Sequence, residues 1–121
     1  MIVIESSAVV DALIDDPVNP ELLALIADSG LHAPSLLDYE VASALRGHAV
    51  GGKLADAQLD DATEDFTALR IERYPLSMMM RDVLKLRDNF TVCDAAYVVL
   101  AQALGLPLVT ADVKLMAMPF N

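Results

Sequence analysis

Cysteine is almost absent from this chain, in which Cys93 stands alone. One thiol excludes a disulfide scaffold and suits a reducing compartment. The N-terminus lacks the basic, apolar and small-residue zones of a secretory signal, so the cytoplasm is the expected setting. Long apolar runs are missing too: none reaches the roughly 18 to 20 residues that a membrane span needs. No internal repeat, low-complexity tract or linker interrupts the sequence. Positive charge is scarce, with 8 Lys and Arg against 18 Asp and Glu and a formal charge of −10. Such a balance is poor for a nucleic-acid binder, because phosphate contacts need local Lys and Arg. It does not exclude one, since acids gathered around a metal count as negative only until the metal binds. It favours a basic protein partner.

What remains is apolar: 55% of 121 residues are hydrophobic and the mean hydropathy is +0.46. One domain with a sizeable core follows, together with an apolar face for another chain to cover. Met1 to Ile4 is β-branched and apolar, as a central parallel strand would be. Glu5 follows it, and Ser6 or Ser7 is placed to cap a helix over Ala8 to Ile14. Pro20 opens a second helix through Asp28. Leu31 to Ala33 is a weak strand. Pro34-Ser35 begins a helix from Leu36 to about Val50, stopped by Gly51-Gly52. Ala55 to Leu69 reads as an outer amphipathic helix whose acids face solvent. Ile71 to Tyr74 is a strand, Leu76 to Arg87 a helix with Met78, Met79 and Met80 as core and interface filler. Asp94 to Leu104 is an apolar helix ended by Gly105, Leu108 to Thr110 a buried-type strand, and Val113 to Met116 a last short segment. The order β-α-α-β-α-α-β-α-α-β predicts an α/β, three-layer α/β/α fold on a small parallel sheet of four or five strands.

In such a sheet the C-terminal ends of strands and the N-terminal ends of the helices that follow share one edge, where sites are built. Four acids meet that test: Glu5, Glu40, Asp94 and Asp112. Singly each has a plainer explanation; Asp94 and Asp112 suit helix caps, and Glu5 a strand end. Glu40 lies three and four residues from Leu36, Leu37, Ser43 and Ala44, so its own helix offers it almost no partner. Together the acids need neutralising, because two carboxylates about 4 Å apart repel by roughly 4 kcal/mol at an effective dielectric near 20. Oxygen ligands without a Cys or His cluster suit Mg²⁺ or Mn²⁺, with His32 and His48 incidental. A carboxylate-held ion of this kind is a common device for phosphodiester cleavage. The chain has no GxSxG elbow, phosphate loop or GxGxxG fingerprint to suggest other chemistry.

The runs Ile2-Val3-Ile4-Glu5-Ser6-Ser7-Ala8-Val9-Val10, Leu37-Asp38-Tyr39-Glu40-Val41-Ala42-Ser43-Ala44-Leu45-Arg46, Leu86-Arg87-Asp88-Asn89 before Asp94-Ala95-Ala96-Tyr97, and Leu108-Val109-Thr110-Ala111-Asp112 resemble a PIN-domain ribonuclease. More narrowly they are similar to the toxin of a bacterial VapBC toxin–antitoxin pair, in order and spacing over nearly the whole chain. The resemblance implies a single PIN domain over 1–121 and a cytoplasmic Mg²⁺- or Mn²⁺-dependent endoribonuclease. It also implies neutralisation by a cognate VapB-type antitoxin, and a homodimer that forms a heterotetramer or larger assembly with it. Glu5, Glu40, Asp94 and Asp112 would then be the catalytic and metal-holding acids, Ser7 and Thr110 their supports, and Arg46 and Arg87 contacts to RNA phosphate.

One departure stands out, since the family normally has Asp where this chain has Glu5. The extra methylene carries the carboxylate out by roughly 1.3 to 1.5 Å. Mg²⁺ requires near-octahedral ligands, so a water-mediated contact, a weaker site or a preference for Mn²⁺ follows. The alternative reading is a weakened PIN domain that mainly binds its antitoxin. A receiver-type signalling domain fits less well: no Asp follows a middle strand, and Lys114 stands on the wrong side of Asp112.

Overall fold

The computed structural model describes residues 1–116. In chain order the elements are β1 (Ile2–Ile4), α1 (Ser6–Ile14), α2 (Pro20–Asp28), β2 (Leu31–Pro34), α3 (Leu37–Val50), α4 (Asp56–Ala68), β3 (Ile71–Tyr74), a 3-10 turn over Leu76–Met78, α5 (Met80–Lys85), α6 (Val92–Leu104), β4 (Leu108–Val109) and α7 (Val113–Met116). The strands form one parallel sheet in the order β3-β2-β1-β4. This is the α/β architecture the alternating pattern predicts.

Burial explains the positions. Ile2, Val3 and Ile4 are 5%, 0% and 0% exposed, as a strand with neighbours on both edges and helices over its faces must be. α6 is buried without interruption from Ala95 to Ala101, so it is a central helix with no solvent stripe along that span. It packs on β1 and β2, and Ala95 and Ala96 let its backbone come close. Gly105 ends it at φ +64°, a left-handed conformation that an L side chain rarely adopts, with its N–H returned to the Ala101 and Gln102 carbonyls.

The last strand, expected as a buried run Leu108 to Thr110, ends at Val109 and is half-buried, because it is the edge strand beside β1. Three further boundaries differ from expectation. α1 begins at Ser6, and its N-cap is Glu5 rather than Ser6 or Ser7. α6 begins at Val92 with Thr91 as N-cap, its hydroxyl accepting the Asp94 N–H, so Asp94 sits inside the first turn and is not the cap. The helix expected over Leu76 to Arg87 is broken at Met79, whose φ of −131° leaves the helical region. At the break Met79 enters the core at 8% exposure, while Met78 and Met80 face outward. His32 on β2 pairs with the Tyr74 hydroxyl on β3 at 2.8 Å, a cross-strand contact that leaves it outside the acidic edge.

Candidate metal centre

The parallel sheet brings the predicted acids to one edge. Glu5 follows β1, Asp112 follows β4, and the Glu5 N–H donates to the Val109 carbonyl at 2.9 Å, which ties the two strand ends together. Glu40 lies in the first turn of α3, after β2, and Asp94 in the first turn of α6.

Glu5 is the buried charged residue of the described core, at 6% exposure. Its carboxylate is held from four directions. Oε1 accepts the Ser7 hydroxyl and, at 2.7 Å, the Thr110 hydroxyl; Oε2 accepts the Ser6 hydroxyl at 2.7 Å and the Ser7 N–H at 3.0 Å. Burial pushes the carboxyl up, but the hydrogen bonds from Ser7, Ser6 and Thr110 outweigh it and hold the group below its ordinary value. The same hydroxyls organise the next loop. Ser7 Oγ accepts the Ala111 N–H at 3.0 Å and Thr110 Oγ1 the Asp112 N–H at 2.9 Å. Ser7 and Thr110 therefore link the first acid to the backbone carrying the last.

Glu40 is half-buried, and its partner comes from another helix: the Tyr97 hydroxyl donates to Oε1 at 2.6 Å. Burial raises the Glu40 carboxyl above its usual value; the Tyr97 bond opposes the rise, and the charges of Glu5 and Asp94 add to it. Burial and then the charge of Asp112 push Asp94 up in the same way. Burial and the bond to Glu40 lift the Tyr97 phenol far above its usual range. Asp112 accepts the Lys114 N–H on Oδ1 at 2.9 Å, the contact of a cap for α7.

The four acids thus feel one another at the carboxyl end of the sheet. As their side chains stand, however, no three His, Cys, Asp or Glu residues among those described are grouped closely enough to hold an ion. Donor type and charge fit a hard dication, because the repulsion felt by Glu40 and Asp94 is what a cation relieves. To hold one ion, the outer carboxylates would have to turn inward. Arg46 and Arg87 lie elsewhere. Arg46 lines a groove of about 580 Å³ between α3 and α4, with Leu45, Leu59, Thr63 and Phe66. Arg87 is exposed beyond α5 and donates to the Leu84 carbonyl at 3.2 Å. Neither joins the salt bridges of the described residues, which are Arg73 with Asp38 and Lys85 with Asp82.

Two members of the network escaped the sequence reading. From sequence, Ser6 reads only as a cap, and Tyr97 only as the end of the motif Asp94-Ala95-Ala96-Tyr97, with no role of its own. A signal existed for Tyr97, since it is the one residue with a polar tip in the run Ala95 to Ala101 and stands one turn after Asp94. A tyrosine buried in such a run must find an acceptor.

A parallel α/β sheet with carboxylates at its C-terminal edge defines a class of acid-lined α/β domains. Within that class the assignment is direct, because residues 2–121 match the PIN domain model and the chain belongs to the PIN domain family. A VapC ribonuclease of Mycobacterium bovis is 39% identical over 115 residues, covering 95% of this chain and 88% of the relative. Ribonuclease VapC1 of Mycobacterium tuberculosis is 39% identical over 119 residues, covering 97% and 90%. The crystal structure of PAE2754 from Pyrobaculum aerophilum superposes with a TM-score of 0.70 over 95% of this chain and 76% of that one; at 24% identity it shows the shared fold.

Proposed function

We propose that the chain works as one PIN domain and is a divalent-metal-dependent endoribonuclease toxin, neutralised by a cognate VapB-type antitoxin. The observation that carries this is the placement of Glu5, Glu40, Asp94 and Asp112 at the carboxyl edge of a PIN fold, with the charged forms of Glu40 and Asp94 disfavoured by burial and then by their neighbours' charges. The ribonuclease names of relatives aligned over nearly the whole chain support it.

Glu5, Glu40, Asp94 and Asp112 would together hold Mg²⁺ or Mn²⁺, with Glu5, enclosed by Ser6, Ser7 and Thr110, placed to contribute through a water. Such an ion, when bound, supplies an acidified water and charge neutralisation for phosphodiester hydrolysis. The rest of the work belongs to the chain. Thr110 and Ser7 fix the loop that carries Asp112, and Tyr97 holds Glu40. The partly exposed Asp94 and Asp112 remain open to solvent on the side from which RNA approaches. Arg46 and Arg87, exposed and outside the salt bridges of the described residues, are the phosphate contacts in this reading. RNA meets a strongly acidic surface, so loading with the cation precedes RNA binding.

The same electrostatics suits an antitoxin whose basic side chain enters the acidic edge in place of the cation. Exposed Met78, Met80 and Leu84 on and before α5 offer an apolar face for a homodimer, from which a heterotetramer or larger complex with antitoxin is built. Among the described residues no helix is long and apolar enough to cross a membrane, and the bacterial cytoplasm is the proposed location. The test is cleavage of a panel of structured RNAs by antitoxin-free protein with Mg²⁺, Mn²⁺ or EDTA, beside Glu5→Asp. Cutting that needs added metal and stops in EDTA is expected from the unaltered chain. Cutting confined to Glu5→Asp would mean that this chain does not act as a nuclease.

A further inference from the structure

Glu40 has no support on its own helix. The side chains one turn away on α3 are Leu36, Leu37, Ser43 and Ala44, and none donates to it. The short hydrogen bond that Glu40 receives crosses from α6, Tyr97 Oη to Oε1 at 2.6 Å, and the Ser6 hydroxyl at the start of α1 adds a weaker stabilisation of the same carboxylate. That is the short range of a hydroxyl donating to a carboxylate. The donor is rigid. Tyr97 is 0% exposed and sits within the stretch of α6 where every residue is buried, so its ring cannot change rotamer without disturbing the core. Asp94 lies three residues earlier on the same helix, so the clamp for one carboxylate and the whole of another are carried on one helical face. α6 therefore sets where Glu40 stands relative to Asp94, although the two acids belong to different helices.

We propose that Tyr97 is a positioning residue that fixes Glu40 beside Asp94 so that the two carboxylates can share one divalent cation. The proposal rests on the metal-site reading given above. By engaging Oε1, the phenol leaves Oε2 without a hydrogen bond from Tyr97, and it removes rotational freedom that Glu40 would otherwise lose on holding an ion. A purely structural tyrosine, which donates because a buried hydroxyl needs an acceptor, would affect folding stability alone.

The experiment separates these roles by titrating antitoxin-free protein with Mn²⁺, read by calorimetry and by Mn²⁺ electron paramagnetic resonance, without RNA. The proteins are the parent, Tyr97→Phe, Glu40→Gln, the double variant and Asp94→Asn. Phe keeps the buried ring and deletes one oxygen. Tyr97→Phe is expected to weaken Mn²⁺ binding by about tenfold, and to have no further effect in the Glu40→Gln background. A Tyr97→Phe affinity within about twofold of the parent, while Glu40→Gln loses the ion, overturns the positioning role and leaves the metal site standing. An equal loss in both backgrounds overturns it as well, because Tyr97 would then act through general packing. If neither Glu40→Gln nor Asp94→Asn changes Mn²⁺ affinity, the metal-site reading fails and the proposal with it. A second arm keeps the hydroxyl: protein labelled with 3-fluorotyrosine is titrated with Mg²⁺ and followed by ¹⁹F NMR. The Tyr97 resonance, assigned by its loss in Tyr97→Phe, is expected to shift with the Mg²⁺ isotherm, and an unmoved resonance would contradict the proposal.

Discussion

Replacing Thr110 with valine would remove one oxygen and almost no volume, yet that oxygen serves two close partners besides a longer contact of 3.4 Å to the Ser7 hydroxyl. It donates to Glu5 Oε1 at 2.7 Å and accepts the Asp112 N–H at 2.9 Å. A hydrogen bond to a charged group contributes about 1.5 to 3 kcal/mol and a neutral one about 1. Thr110→Val should therefore destabilise the metal-free protein by about 2.5 to 4 kcal/mol, near the low end if Ser7 compensates. For a chain of this length that corresponds to a fall in Tm of about 10 to 15 °C. The pH dependence is more discriminating. Burial raises the Glu5 carboxyl, but its hydrogen bonds bring the folded-state value below the ordinary one of 4.5. Its contribution is thus present above that value and is lost as pH falls through the lower, folded one. In Thr110→Val burial gains relative weight and the folded value rises, so the variant forfeits stability at neutral pH and less of it in acid. Urea unfolding of both proteins in EDTA at pH 7 and near pH 4 should show the gap narrowing as the pH falls. A gap of equal size at both values would refute the reasoning, since the loss would then have nothing to do with the charge on Glu5.

Gly105→Ala should cost about 1 kcal/mol, because φ +64° at the end of α6 suits glycine; a loss of a few degrees in thermal melting is expected, with no change in Mn²⁺ affinity. Arg87→Ala should leave stability within about 0.5 kcal/mol, since the side chain is exposed and, among the described residues, bonds only the nearby Leu84 carbonyl. If Arg87 meets RNA phosphate, the same variant should reduce the salt dependence of RNA binding by about one unit of slope, measured by filter binding from low to moderate salt. In the acid cluster, Asp94→Asn should raise the melting temperature of metal-free protein, because ionised Asp94 is opposed by burial and by Asp112. A carboxyl whose folded value is raised contributes stability at low pH that fades as pH rises past its ordinary value. The gain from asparagine should accordingly be absent in acid and present at neutral pH.

The fold was legible because its elements are punctuated and apolar in the right rhythm. The β-branched start, Pro20, Gly51-Gly52 and Gly105 each mark boundaries within a residue or two of those observed. The sharing of one sheet edge by Glu5, Glu40, Asp94 and Asp112 follows from parallel topology alone. Side-chain partners were less accessible. Glu40 and Tyr97 are 57 residues apart, and Thr110 and Glu5 are 105 apart, so neither hydrogen bond leaves a trace in local spacing. The cap of α1 was misread because serine is the commoner N-cap. Here Ser6 and Ser7 turn their hydroxyls onto Glu5 instead, since a buried carboxylate needs donors more than a helix start needs a serine acceptor. The broken helix at Met79 went unseen because three successive methionines carry no signal for which one turns inward.

Asp94→Asn also tests the central claim most directly when its RNA cleavage is followed in Mn²⁺ beside its melting curve. The account predicts a protein at least as stable as the parent without metal, whose cleavage falls by about a hundredfold or more, the equivalent of roughly 3 kcal/mol of lost transition-state stabilisation. Cleavage within about threefold of the parent, from a variant that melts at the same temperature, would contradict the claim that these carboxylates form the reactive site.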